Sequence, residues 1–297
     1  MVILRILILL FSLVFLGTAN ENLKNPFLWE VTKGKQHFYL FGTMHLATPE
    51  LQTLPQSLIK IIHQSDAVYT EIELDTKSQL EVVKYIMRED NRTLQEILPL
   101  KLYQDLETYL ATINPQLTMK PFQQMKIWGV ASTLSLVKYQ LKYPRLKAID
   151  QVIYTYARTH NIPVGGVETL AEQFGAMDSF SQEEQINYLE STLAYLNGHE
   201  DLIEKLKQHY IEGNAQKTLI FISSMMYQIP KYKALEEKLM QRLLYDRNIR
   251  MAQRIDKIVQ TDPRKQFLFA FGVMHFLGER SVIQYLQNYG YLVKRVK

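Results

Sequence analysis

A short apolar pattern that ends in glycine and histidine occurs twice in this chain, once near each end. The first copy is FYLFGTMH at residues 38–45, and the second is FLFAFGVMH at residues 267–275. Each copy begins with aromatic and aliphatic residues, which is typical of a buried strand, and ends in Gly-x-Met-His. Chance seldom repeats such a pattern, so the repeat favours two related supersecondary units.

The position of His45 and His275 in these copies predicts that they share one site. Open α/β sheets bind ligands just beyond the carboxyl ends of their strands, which is where both histidines would lie. The glycine before each histidine allows the backbone to turn or to approach a ligand closely. One histidine after a strand is usually an ordinary polar residue, but a repeated pattern favours a common metal or substrate.

The order of the predicted elements indicates an α/β fold. Strands are predicted at residues 27–31, 37–41, 66–74, 162–167, 266–271 and 291–296, with a short strand end at 146–150. Helices are predicted at 56–64 and 151–160, and helical periodicity continues through 77–143, 182–210 and 217–258. No linker separates these segments, so we expect one domain over residues 20–297. Helical insertions at about 77–145 and 180–260 would cap its sheet.

Residues 1–19 have the pattern of a secretory signal peptide. Arg5 precedes the apolar run Ile6–Leu16, and the small residues Gly17, Thr18 and Ala19 follow it. The run is short for a transmembrane helix, although an uncleaved N-terminal anchor is the alternative. We therefore predict export to the periplasm or the exterior, with no stable membrane span once the signal is removed.

Composition and missing motifs exclude several classes of function. The chain has no cysteine, which excludes disulfides, a thiol nucleophile and a cysteine-based zinc site. Its 34 basic and 30 acidic residues are mixed along the chain, so no nucleic-acid partner is predicted. No Gly-x-Ser-x-Gly, P-loop or His-Glu-x-x-His motif supports a serine hydrolase, a nucleotide-binding enzyme or a standard zincin. The oligomeric state is left open.

Two glutamates accompany the histidines at predicted strands or their ends. Glu71 lies in the third predicted strand, and Glu168 follows the fourth. A buried carboxylate is costly unless it is paired or bound to a cation, and two His with two Glu suit Zn²⁺ or another divalent ion. The ordinary alternatives are an exposed edge strand for Glu71 and a favourable helix N-terminal charge for Glu168.

Four further polar residues have ordinary explanations from the sequence alone. Arg247 and Asn248 lie in a helix with other arginines, which predicts a solvated basic face. Asp150 and Gln173 are expected to cap helices or to lie at the surface.

Taken in order, these motifs resemble the TraB/GumN family, which includes the Tiki proteases. The matching positions are Gly42 to His45, Glu71, Gly166 to Thr169 with Gln173, Arg247 and Asn248 with Met251, and Gly272 to His275 with Gly278 and Glu279. Asp150 and Gln151 match a further segment, whereas Phe276 stands where the family commonly has leucine. Each motif is short, but the ordered set spans nearly all of the chain after the leader.

The resemblance implies a fold related to erythromycin esterase and the haem-binding ChaN group. That fold has a central β-sheet core of two pseudo-repeated halves and a large helical cap. The resemblance also implies a metal-dependent peptidase that uses a divalent ion, Mn, Co or Zn. The implied ligands are His45, His275, Glu71 and Glu168. We predict that three further residues at matching positions, Asn248, Gln173 and Asp150, bind substrate.

We therefore expect an exported metal-dependent hydrolase, with a peptidase as the leading class and a peptide or small molecule as substrate. A metal on His45 and His275 would lower the pKa of a bound water toward about 7. Glu71 or Glu168 would take its proton, and Arg247 would stabilise the oxyanion. One alternative is a non-catalytic cleft that binds a peptide or haem. Another is a metal-independent ester hydrolase with His45 as the base.

Overall fold

The computed structural model describes residues 23–198 and 201–296, so the predicted signal peptide lies outside the described residues. The strands are β1 (Leu28–Lys33), β2 (Gln36–Thr43), β3 (Ala67–Thr70), β4 (Val164–Gly166), β5 (Gln266–Gly272) and β6 (Leu292–Arg295). The helices are α1 (Gln56–Gln64), α2 (Thr76–Ile86), α3 (Leu94–Ile97), α4 (Leu100–Ile113), α5 (Ile127–Lys142), α6 (Ile149–Thr159), α7 (Leu170–Asp178), α8 (Gln182–Leu196), α9 (Leu202–Glu212), α10 (Ala215–Met225), α11 (Lys233–Met240), α12 (Asp246–Thr261) and α13 (Val282–Asn288). The predicted α/β class is confirmed.

The described strands form one six-stranded sheet with the order β4-β3-β5-β2-β1-β6. Strands β4, β3, β5 and β2 are parallel, whereas β1 is antiparallel to both of its neighbours. The two repeated strands, β2 and β5, pair directly, with Phe38 opposite Phe267 and Thr43 opposite Gly272. Both Gly-x-Met-His ends therefore leave the sheet at the same edge.

Helices cover both faces of the sheet at its centre. Every residue from Phe267 to Phe271 is buried, although neighbouring side chains in a strand point to opposite faces. Consecutive burial of this kind is typical of parallel strands packed on both sides. The covering residues include Leu58 of α1, Ile153 of α6 and Ile255 of α12. This packing fixes the strand ends from which the repeated histidines extend.

A second hydrophobic cluster lies among the helices. Its buried residues come mainly from α3, α4, α5 and α8, and they include Leu106, Leu134 and Leu189. Helices from both predicted insertions therefore pack against each other as well as against the sheet. No helix within residues 23–198 and 201–296 is long and apolar enough to cross a membrane.

Two local predictions are wrong, both close to the strand ends. Strand β3 stops at Thr70, whose hydroxyl donates to the carbonyl of Ile72 at 2.6 Å and closes a turn. Glu71 and Ile72 are consecutively buried in that turn, so the alternation of buried and exposed residues that a strand through residue 74 would show is absent. The strand end predicted at 146–150 is also absent, because α6 begins at Ile149.

Candidate active site

The adjacent strands β2, β5 and β3 bring two imidazoles to one carboxylate. Nε2 of His45 lies 3.2 Å from Oε1 of Glu71, and Nε2 of His275 lies 3.7 Å from the same oxygen. His45 follows β2, His275 follows β5, and Glu71 follows β3. The shared edge of the sheet thus collects two nitrogen donors and one oxygen donor, while the roles of these residues stay predictions.

Gly272 makes this close approach sterically feasible. Its backbone N–H donates to Oε1 of Glu71 at 2.9 Å. A Cβ at this position would lie 3.0 Å from that oxygen and 3.5 Å from Nε2 of His45. The repeated glycine predicts a close backbone approach at this position, but the sequence alone did not identify the N–H of Gly272 as a donor to Glu71.

Arg247 of α12 binds two buried carboxylates. Its Nη2 lies 2.7 Å from Oε2 of Glu71 and 2.7 Å from Oε2 of Glu168, while its Nε donates to Glu168 at 2.9 Å. Its Nη1 donates to the Leu243 carbonyl at 3.1 Å, in the single π-helical turn Gln241–Tyr245 that precedes α12. Burial lowers the pKa of Arg247, but the two carboxylates outweigh that effect and raise it. The solvated face predicted for Arg247 is therefore wrong.

Glu168 lies among arginines and not beside the imidazoles. Besides Arg247, it accepts a bond at 3.3 Å from Arg250, which the sequence also placed on a solvated face. Its side chain is fully buried. Among the described residues, no ion pair joins Glu168 to His45 or His275, so its contacts are those of a buried counter-ion.

Asn248 determines which nitrogen of His275 carries the proton. The side-chain N–H of Asn248 donates to the Arg280 carbonyl at 2.7 Å, which directs its Oδ1 toward Nδ1 of His275, 2.6 Å away. An amide oxygen only accepts, so Nδ1 is the donor and the neutral ring keeps a lone pair on Nε2. Asn248 is buried, and its predicted place on a solvated face is wrong.

Asp150 and Gln173 also reach the site. Oδ2 of Asp150, in the first turn of α6, lies 3.3 Å from Nδ1 of His45. The Gln173 amide donates to Oε2 of Glu71 at 3.4 Å. Oδ1 of Asp150 and Oε1 of Gln173 are buried and have no hydrogen-bond partner among the described residues. Neither residue is the helix cap or surface residue predicted from the sequence alone, and both line a cleft of about 170 Å³.

The two imidazoles have opposite pKa shifts. Partial burial disfavours the charged ring of His45, but the Asp150 and Glu71 carboxylates outweigh this and raise its pKa well above the ordinary value. Burial lowers the pKa of His275 to about 3, and the Arg247 charge adds to that effect against the opposing effect of Glu71. Burial raises the pKa of Glu71, but the charges of His45 and Arg247 bring it well below the usual range.

The donor set suits a divalent ion in chemical type. Among the described residues, no three or more His, Cys, Asp or Glu side chains already surround a common point as metal ligands. The two Nε2 atoms nevertheless lie 3.2 and 3.7 Å from one Glu71 oxygen. Donors bound to one ion at about 2.1 Å lie roughly 3–3.5 Å apart, and these two distances are within or close to that range. Each Nδ1 also faces an acceptor, as in the outer shell of metal-binding histidines.

Comparison with known proteins finds several relatives of low sequence identity whose alignments cover most of this chain. The chain is 26% identical over 314 residues to Metalloprotease TIKI1 of Danio rerio, covering 91% of this chain and 63% of that protein. It is 25% identical to the Metalloprotease TIKI homolog of Nematostella vectensis, with 95% and 69% covered. Metalloprotease TIKI2 of Xenopus tropicalis is 27% identical, with 94% and 61% covered. The chain thus spans somewhat under two thirds of the length of two of these three relatives.

No solved structure matches the chain. The sequence model of the TraB/PrgY/gumN family matches residues 27–295, a range that includes all six strands and every residue of the site described above. This confirms the resemblance found in the motifs: the chain belongs to the TraB/PrgY/gumN family.

Proposed function

We propose that the protein is a metal-dependent hydrolase that cleaves peptides in the cleft beside Glu71. Three relatives bear the name metalloprotease, and the family match covers nearly all of the chain. The donor types in the cleft are those that Mn²⁺, Co²⁺ and Zn²⁺ accept in proteins. The name of the relatives supports peptides over other substrates.

The observation that carries the proposal is the free nitrogen of His275. The ring is buried and neutral, its Nδ1–H is bonded to Asn248, and its Nε2 lone pair faces a carboxylate oxygen at 3.7 Å. Two acceptors that face each other repel unless a positive charge lies between them. A cation shared by His275, Glu71 and His45 removes that repulsion.

In this proposal His45, His275 and Glu71 hold the ion, and Arg247 positions Glu71. An ion bound there supplies Lewis acidity that polarises a substrate carbonyl and favours ionisation of water. Glu71 is a weak base because its pKa is lowered, so it acts as a ligand. Four of the five N–H donors of Arg247 are already bonded, so the predicted role of Arg247 in stabilising the oxyanion is not part of this proposal. Glu168 secures Arg247 and is not a ligand.

The substrate would be held by acceptors as well as by the ion. Oδ1 of Asp150 and Oε1 of Gln173 are buried and have no hydrogen-bond partner within residues 23–198 and 201–296, and both residues line the cleft. An N–H group of a peptide satisfies such an atom, and leaving it unsatisfied costs roughly 1–3 kcal/mol. We assign these two residues to binding substrate N–H groups, and Asn248 to orienting His275.

A metal-independent hydrolase is the second candidate, and the contact of Asp150 with His45 favours it. A carboxylate on Nδ1 orients an imidazole so that Nε2 can accept a proton, as in serine hydrolases. Against the effect of burial, the Asp150 and Glu71 carboxylates raise the pKa of His45 well above its ordinary value, which favours the protonated ring and disfavours its action as a base. This is why the metal-dependent mechanism is preferred.

The decisive experiment measures metal content and hydrolysis together. The purified protein should bind a divalent ion by elemental analysis and cleave a fluorogenic peptide library, and a chelator should abolish cleavage until Mn²⁺, Co²⁺ or Zn²⁺ is restored. Glu71→Gln should lower both metal content and turnover, whereas Glu73→Gln, at the exposed neighbouring carboxylate, should change neither. Turnover that needs His45 but ignores the chelator would select the second candidate. Metal binding without turnover of peptides or esters would leave only a binding role.

We also propose that the chain is exported, on the basis of the Ile6–Leu16 run and the small residues that follow it. Mass spectrometry of the protein from its native compartment should find an N-terminus near Asn20. A chain that keeps Met1 and sediments with membranes would favour the anchor instead.

A further inference from the structure

The helices form a partly open cavity that is separate from the proposed hydrolytic cleft. Its volume is about 530 Å³, and it lies among α4, α5, α8, α9, α10 and α11. Pockets that hold small molecules measure about 300–1,000 Å³, so this one is large enough for a ligand. None of the residues that surround Glu71 lines it. The cavity therefore requires an explanation independent of hydrolysis.

The wall of this cavity is largely apolar and aromatic. It includes Tyr109, Tyr188, Tyr195, Leu134, Met225 and Leu239. Such a wall favours an aliphatic or aromatic ligand, because burying apolar surface is favourable. The faces of tyrosine rings also attract cations.

Glu236 gives the cavity an unbalanced negative charge. Its carboxylate is buried and accepts bonds from the Tyr195 hydroxyl at 2.7 Å and from the Tyr227 backbone N–H at 2.6 Å. Within residues 23–198 and 201–296, no Lys, Arg or His forms an ion pair with it. The other two charges on the described part of the wall cancel, because Nζ of Lys138 lies 2.6 Å from Oδ2 of Asp201. A buried carboxylate without a cation is costly, and a cationic ligand would offset that cost.

We propose that this cavity binds an amphipathic cation, that is, an amine with an aliphatic or aromatic tail. The ammonium group contacts Glu236 and the neighbouring tyrosine faces, and the tail fills the apolar space beside Leu134 and Leu239. A fatty acid with a tail of the same length is disfavoured, because its carboxylate would meet Glu236 with like charge.

Isothermal titration calorimetry on the purified protein tests the proposal with three probes of equal chain length: decylammonium, decanoate and decanol. Decylammonium, used below its micelle concentration, should bind in the micromolar range, and decanoate at least about tenfold more weakly. Removing one CH₂ from the amine should weaken its binding about fourfold, as expected for a buried tail. No detectable decylammonium binding, or equal binding of decanoate, would overturn the proposal.

Variants locate the probe in the cavity. Glu236→Gln keeps the shape of the side chain and should lower decylammonium affinity at least about tenfold while decanol affinity is unchanged. Glu237→Gln, at an exposed neighbour, should have no effect. Ser135→Phe fills the cavity and should weaken all three probes. Unchanged decylammonium affinity in a folded Glu236→Gln protein would refute the site. If Glu236→Gln does not fold, the site is refuted when Ser135→Phe leaves the affinities unchanged or when decanoate binds as tightly as decylammonium.

Discussion

His45 and His275 end two copies of one motif, yet their surroundings differ in charge and in exposure. The His45 side chain is 50% exposed and lies between the carboxylates of Asp150 and Glu71. His275 is only 5% exposed, and an amide oxygen of Asn248 faces its Nδ1 instead of a carboxylate. The pKa of His45 is raised, whereas that of His275 falls to about 3.

This difference shows that a repeated motif sets the position of a residue but not its chemistry. The paired strands β2 and β5 place both rings at the same edge of the sheet. Their second partners come from α6 and α12, whose sequences are unrelated to the repeat. In the proposed site, His275 is therefore a ready neutral ligand, and His45 must lose a proton before it can bind a metal.

Removing either imidazole should have the largest effect on function. His45→Ala and His275→Ala should each lower kcat/KM for peptide hydrolysis about a hundredfold or more, because each removes a ligand from the proposed ion. Only His275→Ala should also lower the melting temperature clearly, since His275 is buried. His37→Ala, at the opposite end of β2, is the control for both measurements. Full activity in one variant would end the idea of a shared site.

Replacing Arg247 should have the largest effect on stability. Arg247→Met leaves Glu71 and Glu168 buried without their cation, so the free energy of unfolding should fall by about 3–5 kcal/mol. The same change removes a positive charge that lowers the pKa of His275, so that pKa should rise. Urea denaturation and NMR titration measure the two effects. Arg264→Met, at an exposed ion pair, should cost under about 1 kcal/mol, and a similar loss in both variants would contradict the prediction.

The stability of the metal-free protein should depend on pH through His275. Its pKa is about 3 when folded and near 6.5 when unfolded, so below pH 6.5 the unfolded chain binds a proton that the folded chain does not. Its contribution to stability is thus complete above pH 6.5 and is lost as the pH falls toward 3, by up to about 1.4 kcal/mol per pH unit.

The contribution of His45 to stability has the opposite pH dependence: it is complete below pH 6.5 and is lost as the pH rises through the raised folded pKa. Denaturation of His275→Gln should show a shallower acid slope than the parent; an identical slope would show that His275 is charged in the folded state.

Exchanging the side chains that face the two Nδ1 atoms should have the smallest effect on function and stability. It tests the difference between the two rings most directly. Asp150→Asn should lower the pKa of His45, and Asn248→Asp should raise that of His275, each by about one unit or more. Proton NMR titration of the two rings follows both shifts. Thr155→Val in α6 leaves both partners in place and should shift neither ring. If Asn248→Asp leaves the pKa of His275 unchanged, burial alone accounts for its low value.

Much of the fold could be predicted because its elements carry strong local patterns. Helix α1 occupies residues 56–64 as predicted, since its apolar residues Leu58, Ile61 and Ile62 recur at helical spacing. Strands β2 and β5 follow from their uninterrupted apolar runs. The prediction failed at residues 71–74, where apolar and polar residues still alternate although the chain has already turned at Ile72.

The sequence by itself determined the two strands, the glycine at each end and the identity of the histidines, because these depend on local periodicity and residue type. The ordered motifs also determined the family. Only the tertiary structure decided that Arg247 is buried against Glu71 and Glu168, and that carboxylates raise the pKa of His45 whereas burial lowers that of His275. Asp150 lies 105 positions from His45 in the chain, and Asn248 lies 27 positions from His275. The pKa shifts of the rings depend on separation in space, which no local sequence pattern encodes.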